Sequence, residues 1–199
     1  WPLLIRELKH ADLVHIFSAS YSSFFLAPLP AILVAKAFGK PVLLNYHSGE
    51  APDHLRRSAI ARLVLRACDL NVVPSPFLQQ AFTDEQIPAD VVPNTIARDD
   101  FRYRVREPLG PHLISTRNFE PLYNLPCTLR AFQRIQRVRP DATLRLVGSG
   151  SQERSLRELA AALGLRDVTF AGRVEPSAIA LVYDAADIYV QTPSLDNLP

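Results

Sequence analysis

Residues that can do chemistry recur in this sequence at one kind of place, directly after a short apolar run. LRLVGSGSQERS sets Gly148-Ser149-Gly150 at the end of such a run and ahead of a helical pattern, whose first free N–H groups attract an anion. LISTRNFEP places Arg117 at the end of another run. A guanidinium is a fixed cation with forked donors, suited to offsetting charge that grows on a departing phosphate group. NYHSGE ends a third run with His47 beside Gly49, where a missing side chain allows close backbone approach. TPSLDNLP ends the chain with Asp196, whose carboxylate can accept from hydroxyls, followed by Asn197 and Leu198, whose amides can face an anion.

Each of these has a plainer counterpart. Two glycines after a strand also make a tight turn, an arginine also caps carbonyls, a histidine also ties a neighbouring loop, and Asp-Asn is a common turn. The dinucleotide fingerprint G-x-G-x-x-G fails, because Glu153 stands where the third glycine belongs. No acidic residue ends a strand about 20 residues onward, since Asp167 precedes its strand. His10, His15, His54 and His112 lie away from strand-end positions and read as ordinary histidines. No Asp-x-Asp pair ends a strand and no acidic–histidine cluster has ligand spacing, so neither a catalytic metal nor a cofactor is expected.

The elements that must position these residues alternate. Asp12–Phe17, Pro41–Tyr46 and Leu70–Pro74 read as buried strands, and Ala51–Cys68 as one helix with Leu55, Ala59, Leu63 and Ala67 on a single face. Ser75 is placed to cap a short helix from Pro76 through Phe82. Val91–Pro108 has no sustained period, carries prolines at both ends and is dense in charge, which marks a connector. Beyond it, strands at His112–Thr116, Thr143–Val147, Val168–Phe170 and Ile188–Thr192 alternate with helices at Leu125–Val138, Ser151–Leu163 and Ser177–Ala186. Alternation of this kind implies right-handed crossovers and parallel sheets, hence two α/β domains.

Bulk properties exclude several classes. A hydrophobic content of 48%, charged residues at 21% and a net charge of +2 describe an ordinary globular chain and give no footprint for nucleic acid. Cys68 and Cys127 are too few and too far apart for a disulfide framework and read as two thiols in a reducing compartment. The longest apolar stretch, Phe24–Phe38, is interrupted by Pro28, Pro30 and Lys36, short of the about 18 apolar residues of a membrane span. Arg56, Arg57, Arg62 and Arg66 on one helix can be a solvated surface or a peripheral contact with an anionic lipid face. With no methionine, a start at Trp1-Pro2 and a stop just after a strand, the sequence reads as an internal piece of a longer chain.

Taken in order, these motifs resemble glycosyltransferase family 4, with its GT-B fold. The second half carries Val147-Gly148-x-Gly150, Leu163-Gly164-Leu165, Phe170-x-Gly172-x-Val174, LVYDAAD over Leu181–Asp187, and Pro193-Ser194 before Asp196. The first half carries ADLVHIF, KPVLLNYHSGE with its His-x-Gly strand end, and VVPNTI, in which Asn94 shapes the exit turn. The resemblance implies an α/β fold of GT-B type, two Rossmann-like domains with parallel sheets, both incomplete here. Residues 1–98 would be the later part of an acceptor-side domain, 99–108 the connector, and 109–199 the first part of a nucleotide-sugar donor domain.

By the same resemblance, Arg117 contacts the donor pyrophosphate and His47 the transferred sugar near its reacting carbon. Arg173 and Val174 lie along the nucleobase. Asp196 takes the first place of a paired acidic motif, normally glutamate, with Asn197 and Leu198 amides toward phosphate; Gly49, Asn118, Gly148 and Gly150 complete the donor-binding set. The family's lysine-glycine pair is replaced by Tyr123-Asn124, which removes one phosphate cation. The implied activity is metal-independent transfer, with retained anomeric configuration, from a nucleotide-sugar to a carbohydrate, lipid or small-molecule acceptor. The implied location is cytoplasmic, extending to the inner membrane face on the lipid-contact reading. A piece this short is expected to be inactive alone. The rival readings are a non-catalytic nucleotide-binding scaffold of the same fold and a GT-B-like nucleotide-sugar epimerase.

Overall fold

Apolar runs too short for a helix satisfy their backbone groups by pairing, and the amphipathic stretches between them return the chain to the same end of the sheet. The computed structural model describes residues 2–96 and 98–196. It divides the chain into two compact units that part between Thr95 and Ile96, with Asp196 grouped with the first.

The first unit holds β1 (Val14–Ser18), β2 (Val42–Tyr46), β3 (Leu70–Val73) and β4 (Asp90–Val91), all parallel and in the order β1-β2-β3-β4. Its helices are α1 (Pro2–Leu8), α2 (Tyr21–Leu26), α3 (Pro28–Ala37), α4 (Ala51–Arg57), α5 (Ala59–Arg66) and α6 (Pro76–Asp84). Phe24, Ile32, Leu44, Tyr46, Leu55 and Phe82 form its fully buried centre. Ser75 caps α6 as its sequence suggests, accepting from the Leu78 amide at 3.4 Å. The apolar stretch around Phe24–Phe38 is a pair of short helices, with Pro28 opening the second where its missing N–H costs nothing.

One element differs from its expectation. The single helix expected over Ala51–Cys68 is two, α4 and α5, broken at Ser58. Ser58 is extended (φ −112°, ψ 98°) and its hydroxyl accepts from the Ala61 amide at 3.1 Å, making it the N-cap of α5. Serine competes with the helix for its own backbone, and here the competition resets the helical phase. Leu55 remains buried, but Ala59, Leu63 and Ala67 face solvent, while Ala61, Val64 and Leu65 turn inward. The basic series is divided in consequence. Arg62 donates to the carbonyls of Leu55 and Arg56, and Arg66 to those of Glu85 and Gln86, while Arg56 and Arg57 pair with Asp53.

The second unit holds β5 (His112–Ser115), β6 (Thr143–Val147), β7 (Val168–Gly172) and β8 (Ile188–Tyr189), parallel and in the order β7-β6-β5-β8. Helices α7 (Leu125–Val138), α8 (Glu153–Ala162) and α9 (Ile179–Asp184) pack against it, over a core that includes Phe119, Leu129, Phe132 and Leu144. Pairing of β8 ends at Tyr189, so Gln191 and Thr192, expected within the strand, leave the ladder and are released into the strand-end loops. The residues before β5 are fastened to this unit: Arg104 binds Asp184 at 2.8 Å and Arg106 the Ala186 carbonyl at 2.9 Å. From β5 the chain steps outward to β6 and β7, then returns to the other side of β5 as β8. A crevice outside the carboxyl ends of the strands at such a reversal is the ligand position of open α/β sheets.

Replacing Ser58 by alanine is expected to lower stability by about 1 kcal/mol, and by glycine only a few tenths, read as shifts in the urea unfolding midpoint. Equal costs for the two variants would contradict the capping role.

Candidate functional site

At the carboxyl end of the second sheet the loop after β5 lies against the loop after β6. Phe119, fully buried and edge-on to Phe170 at 6.1 Å, anchors the first loop. Its amide donates to the Ser149 carbonyl at 3.0 Å, and its carbonyl accepts from Gln152 at 2.9 Å. Gly148 has φ +144°, and a Cβ there would stand 2.3 Å from the Arg117 carbonyl oxygen. A Cβ on Gly150 would stand 2.6 Å from the Phe119 carbonyl. What these glycines admit is therefore the chain's own Arg117–Glu120 backbone.

The helix start of α8 differs from its expected role. Its first amides are already engaged: Ser151 donates to Glu120 Oε1 at 2.9 Å, and Gln152 to the Phe119 carbonyl. The Ser151 hydroxyl and amide together hold the Glu120 carboxyl below the usual carboxylate range. The anion-attracting groups lie one turn earlier. Among the described residues, the N–H groups of Ser149 and Gly150 have no acceptor.

Arg117 sits at the reversal point. Its Nε donates to Gln191 Oε1 at 2.9 Å, a second guanidinium nitrogen reaches the same oxygen, and its charge lies 5.4 Å from the centre of the Tyr123 ring. Tyr189 also donates to Gln191 Oε1, at 3.2 Å. Asn124 occupies the left-handed region (φ 49°, ψ 42°), the conformation a glycine would supply and asparagine tolerates best among other residues. Tyr123-Asn124, standing where the resemblance implies lysine-glycine, thus combine a left-handed turn with an aromatic face toward the arginine. Thr192 fastens the chain after β8 to this loop, donating to the Asn124 carbonyl at 2.9 Å. Arg173, exposed after β7, donates from Nε to Ser149 Oγ at 2.6 Å, and Val174 is half-buried against Ile114 and Val147. Asn118 is exposed beside Arg117, and Asp196 is half-buried. Asn197 and Leu198 lie outside the described residues. The fold thus gathers Arg117, Asn118, Gly148, Gly150, Arg173 and Val174 onto adjoining loops. A separate hollow of about 280 Å³, lined by His112, Thr143, Arg145 and Thr169, opens toward the amino-terminal strand ends. Among the described residues, no group of three His, Cys, Asp or Glu side chains could hold a metal ion.

In the first unit, His47 and Gly49 lie on the loop after β2. The His47 amide donates to the Ser18 carbonyl at 3.0 Å, and burial holds its imidazole below the usual histidine pKa. Behind this loop lies a polar chain with no signature in the sequence. Ser20 Oγ donates to Ser48 Oγ at 2.9 Å and lies 2.8 Å from Tyr46 Oη, which lies 2.8 Å from His54 Nδ1. His54, read from sequence as ordinary, is 1% exposed among Tyr21, Phe24 and Tyr46, and burial pushes its pKa down.

The missed residues share a reason. Gln191, Ser20 and His54 act through partners far away in sequence, and none stands in a motif of its own; Gln191 was moreover expected inside a strand that ends two residues before it.

Two parallel α/β units, one with strand-end loops gathered at a topological reversal, give the molecule the fold of the GT-B glycosyltransferases. The chain belongs to glycosyltransferase family 4: residues 1–100 match the model described as Glycosyltransferase Family 4, and residues 101–199 match Glycosyl transferases group 1. An uncharacterized glycosyltransferase of Haemophilus influenzae is 33% identical over 206 residues, 98% of this chain and 54% of that protein. Among solved structures, Anabaena Alr3699/HepE in complex with UDP aligns with a TM-score of 0.74 at 18% identity, over 97% of this chain and 57% of that one. The pneumococcal O-GlcNAc transferase GtfA in complex with UDP and GlcNAc aligns at 0.73 and 14%, over 98% and 41%. The chain thus spans about half the length of the relatives it matches. Among the described residues, no helix is long and apolar enough to cross a membrane.

Gly148→Ala is expected to cost the second unit several kcal/mol, about 2–4, because the new methyl meets backbone and the φ is one that alanine avoids. A calorimetric midpoint unchanged from wild type would contradict the close approach. The depressed pKa values of half-buried His47 and buried His54 predict a pH slope as well. Their folded pKa values lie below the unfolded value of about 6.5, so the unfolded chain binds the extra proton and stability falls as pH drops below that point. Urea unfolding at pH 7.5 and pH 5 should show the loss, and His54→Gln should reduce it.

Proposed function

We propose that the full-length protein transfers a sugar from a nucleotide-sugar to a carbohydrate, lipid or small-molecule acceptor, with retention of anomeric configuration and without a catalytic metal. The observation that carries this reading is the meeting of Arg117, at the sheet reversal, with Arg173 and the Ser149 and Gly150 amides, which have no acceptor among the described residues, on adjoining strand-end loops. Such a loop cluster presents fixed cations and preorganised N–H dipoles to one anion, the diphosphate of the donor.

Glycosyl transfer develops positive charge on the sugar and additional negative charge on the leaving diphosphate. Stabilising the second is the main lever for this chain. Arg117 is assigned that role, with Ser149 and Gly150 N–H groups donating to diphosphate oxygens. Val174 and Arg173 are assigned to the nucleobase side, and Asn118 and Asp196, with Asn197 and Leu198, complete the donor contacts. His47, kept neutral by burial, is assigned to the transferred sugar, with Gly49 allowing the approach. The segment of residues 1–199 alone is proposed to be inactive, since the relatives it matches are about twice as long. A peripheral membrane contact would rest on Arg56 and Arg57, because Arg62 and Arg66 hold internal carbonyls.

One observation favours a second reading. Tyr123 places a ring where a phosphate cation is expected, as a non-catalytic nucleotide-binding scaffold would tolerate. Binding of a nucleotide-sugar with neither hydrolysis nor transfer would select it, and an epimerised free sugar formed without acceptor would select an epimerase.

The deciding experiment is Arg117→Ala in the full-length protein. Loss of one preorganised donor to developing charge is expected to lower kcat by about 10²–10³-fold, with a smaller change in KM. Undiminished nucleotide release and sugar transfer would overturn the assignment.

A further inference from the structure

A guanidinium offers only donors, so whatever meets the Arg117 Nε must be an acceptor. That settles which end of the Gln191 carboxamide faces it: the oxygen does, and the nitrogen is turned away. Three donors converge on this one oxygen. They are Arg117 Nε at 2.9 Å, a second nitrogen of the same guanidinium, and the Tyr189 hydroxyl at 3.2 Å. Two contacts from one planar fork to one atom restrict its swing more than a single contact would.

The oxygen is itself held in place. On one side of Gln191 the Val190 amide donates to the Ile114 carbonyl at 2.8 Å, and on the other Thr192 donates to the Asn124 carbonyl at 2.9 Å. The Tyr189 ring stands edge-on to Tyr183 with centroids 5.7 Å apart, and the Tyr183 hydroxyl lies 2.5 Å from Thr116 Oγ1. Thr116 directly precedes Arg117. Side chains therefore close a circuit from Thr116 through Tyr183, Tyr189 and Gln191 back to Arg117, and every member belongs to the second unit.

The acceptor in this circuit is neutral. A carboxylate of the same length would make shorter and stronger contacts with the guanidinium, but it would also cancel the charge. An amide oxygen fixes geometry and leaves the charge uncancelled by that contact. The Gln191 amide nitrogen donates to nothing among the described residues, so no internal bond calls for an amide rather than a carboxylate. Neutrality matters only to a further partner of Arg117, one that is negative.

We propose that Gln191 is a positioning residue, its amide oxygen, steadied by Tyr189, aiming the Arg117 guanidinium at the donor diphosphate without neutralising it. The proposal rests on the donor reading above. A cation held in advance at the right angle stabilises growing negative charge with no cost of reorganisation.

The test uses the full-length protein, with thermal unfolding and calorimetric titration with UDP, GDP and ADP. Gln191→Met, close in length but without the acceptor, is expected to weaken the diphosphate that wild type binds best by about 3–10-fold. Gln191→Glu keeps the acceptor and adds the cancelling charge. It is expected to weaken the same diphosphate by about 10–30-fold while the unfolding midpoint stays level or rises. A residue that only fastened the loops would give the reverse order, with Gln191→Glu binding like wild type. On an Arg117→Ala background, Gln191→Met is expected to cost less than about 2-fold more, since the group it orients is gone. Wild-type affinity in Gln191→Glu, no weakening in Gln191→Met, or an undiminished effect of Gln191→Met without Arg117 overturns the proposal alone. Diphosphate binding and sugar transfer that survive Arg117→Ala intact overturn it together with the donor reading.

Discussion

The backbone of Gly148 lies so near the Arg117 carbonyl that no side chain fits between them, and the candidate site is organised around that approach. Because Gly148 and Gly150 carry no Cβ, the loop after β6 seats against the loop after β5 through main-chain hydrogen bonds at Phe119 and Gln152. Phe119 locks the pair from below, and Glu120 binds the start of α8 from the side. The two loops consequently behave as one surface. Arg117 departs from it toward Gln191, while the Ser149 and Gly150 amides remain on it without acceptors among the described residues.

This arrangement changes which groups can meet an anion. An α-helix start is the usual place for unpaired amides. Here the start of α8 is satisfied internally by a carboxylate and a carbonyl, and the open amides are in the preceding turn. A negative charge already present at Glu120 makes the helix end a poorer anion site and moves the attractive region toward Ser149, where Arg173 also donates. The Tyr123-Asn124 pair works in the same direction. It makes the left-handed turn that begins α7 and supplies an aromatic face to the arginine.

The first unit uses polar groups differently. Its strand-end loop is stiffened by neutral hydroxyls and a neutral imidazole, buried among aromatic rings, with no cation in the chain of contacts. Neutral networks orient without imposing a field, whereas the second unit's arginines impose one.

Short runs such as VHIF and TLRLV, alternating with helical stretches, were enough to give the strands, the parallel sheets and the two-unit plan, because strand and helix periods are local properties. Position at strand ends likewise marks Arg117, His47 and the Gly-Ser-Gly turn as candidates. The break at Ser58 was not legible, since one hydroxyl can cap a helix or sit within one, and packing of α5 chose between them. The occupants of the space around Gly148, the engagement of the α8 amides, and the line from His54 to Ser48 all depend on residues brought together from distant parts of the chain. Sequence determined where functional groups stand along each strand; tertiary structure alone decided which of their hydrogen-bonding positions were already filled, because a donor's availability is set by what packs against it.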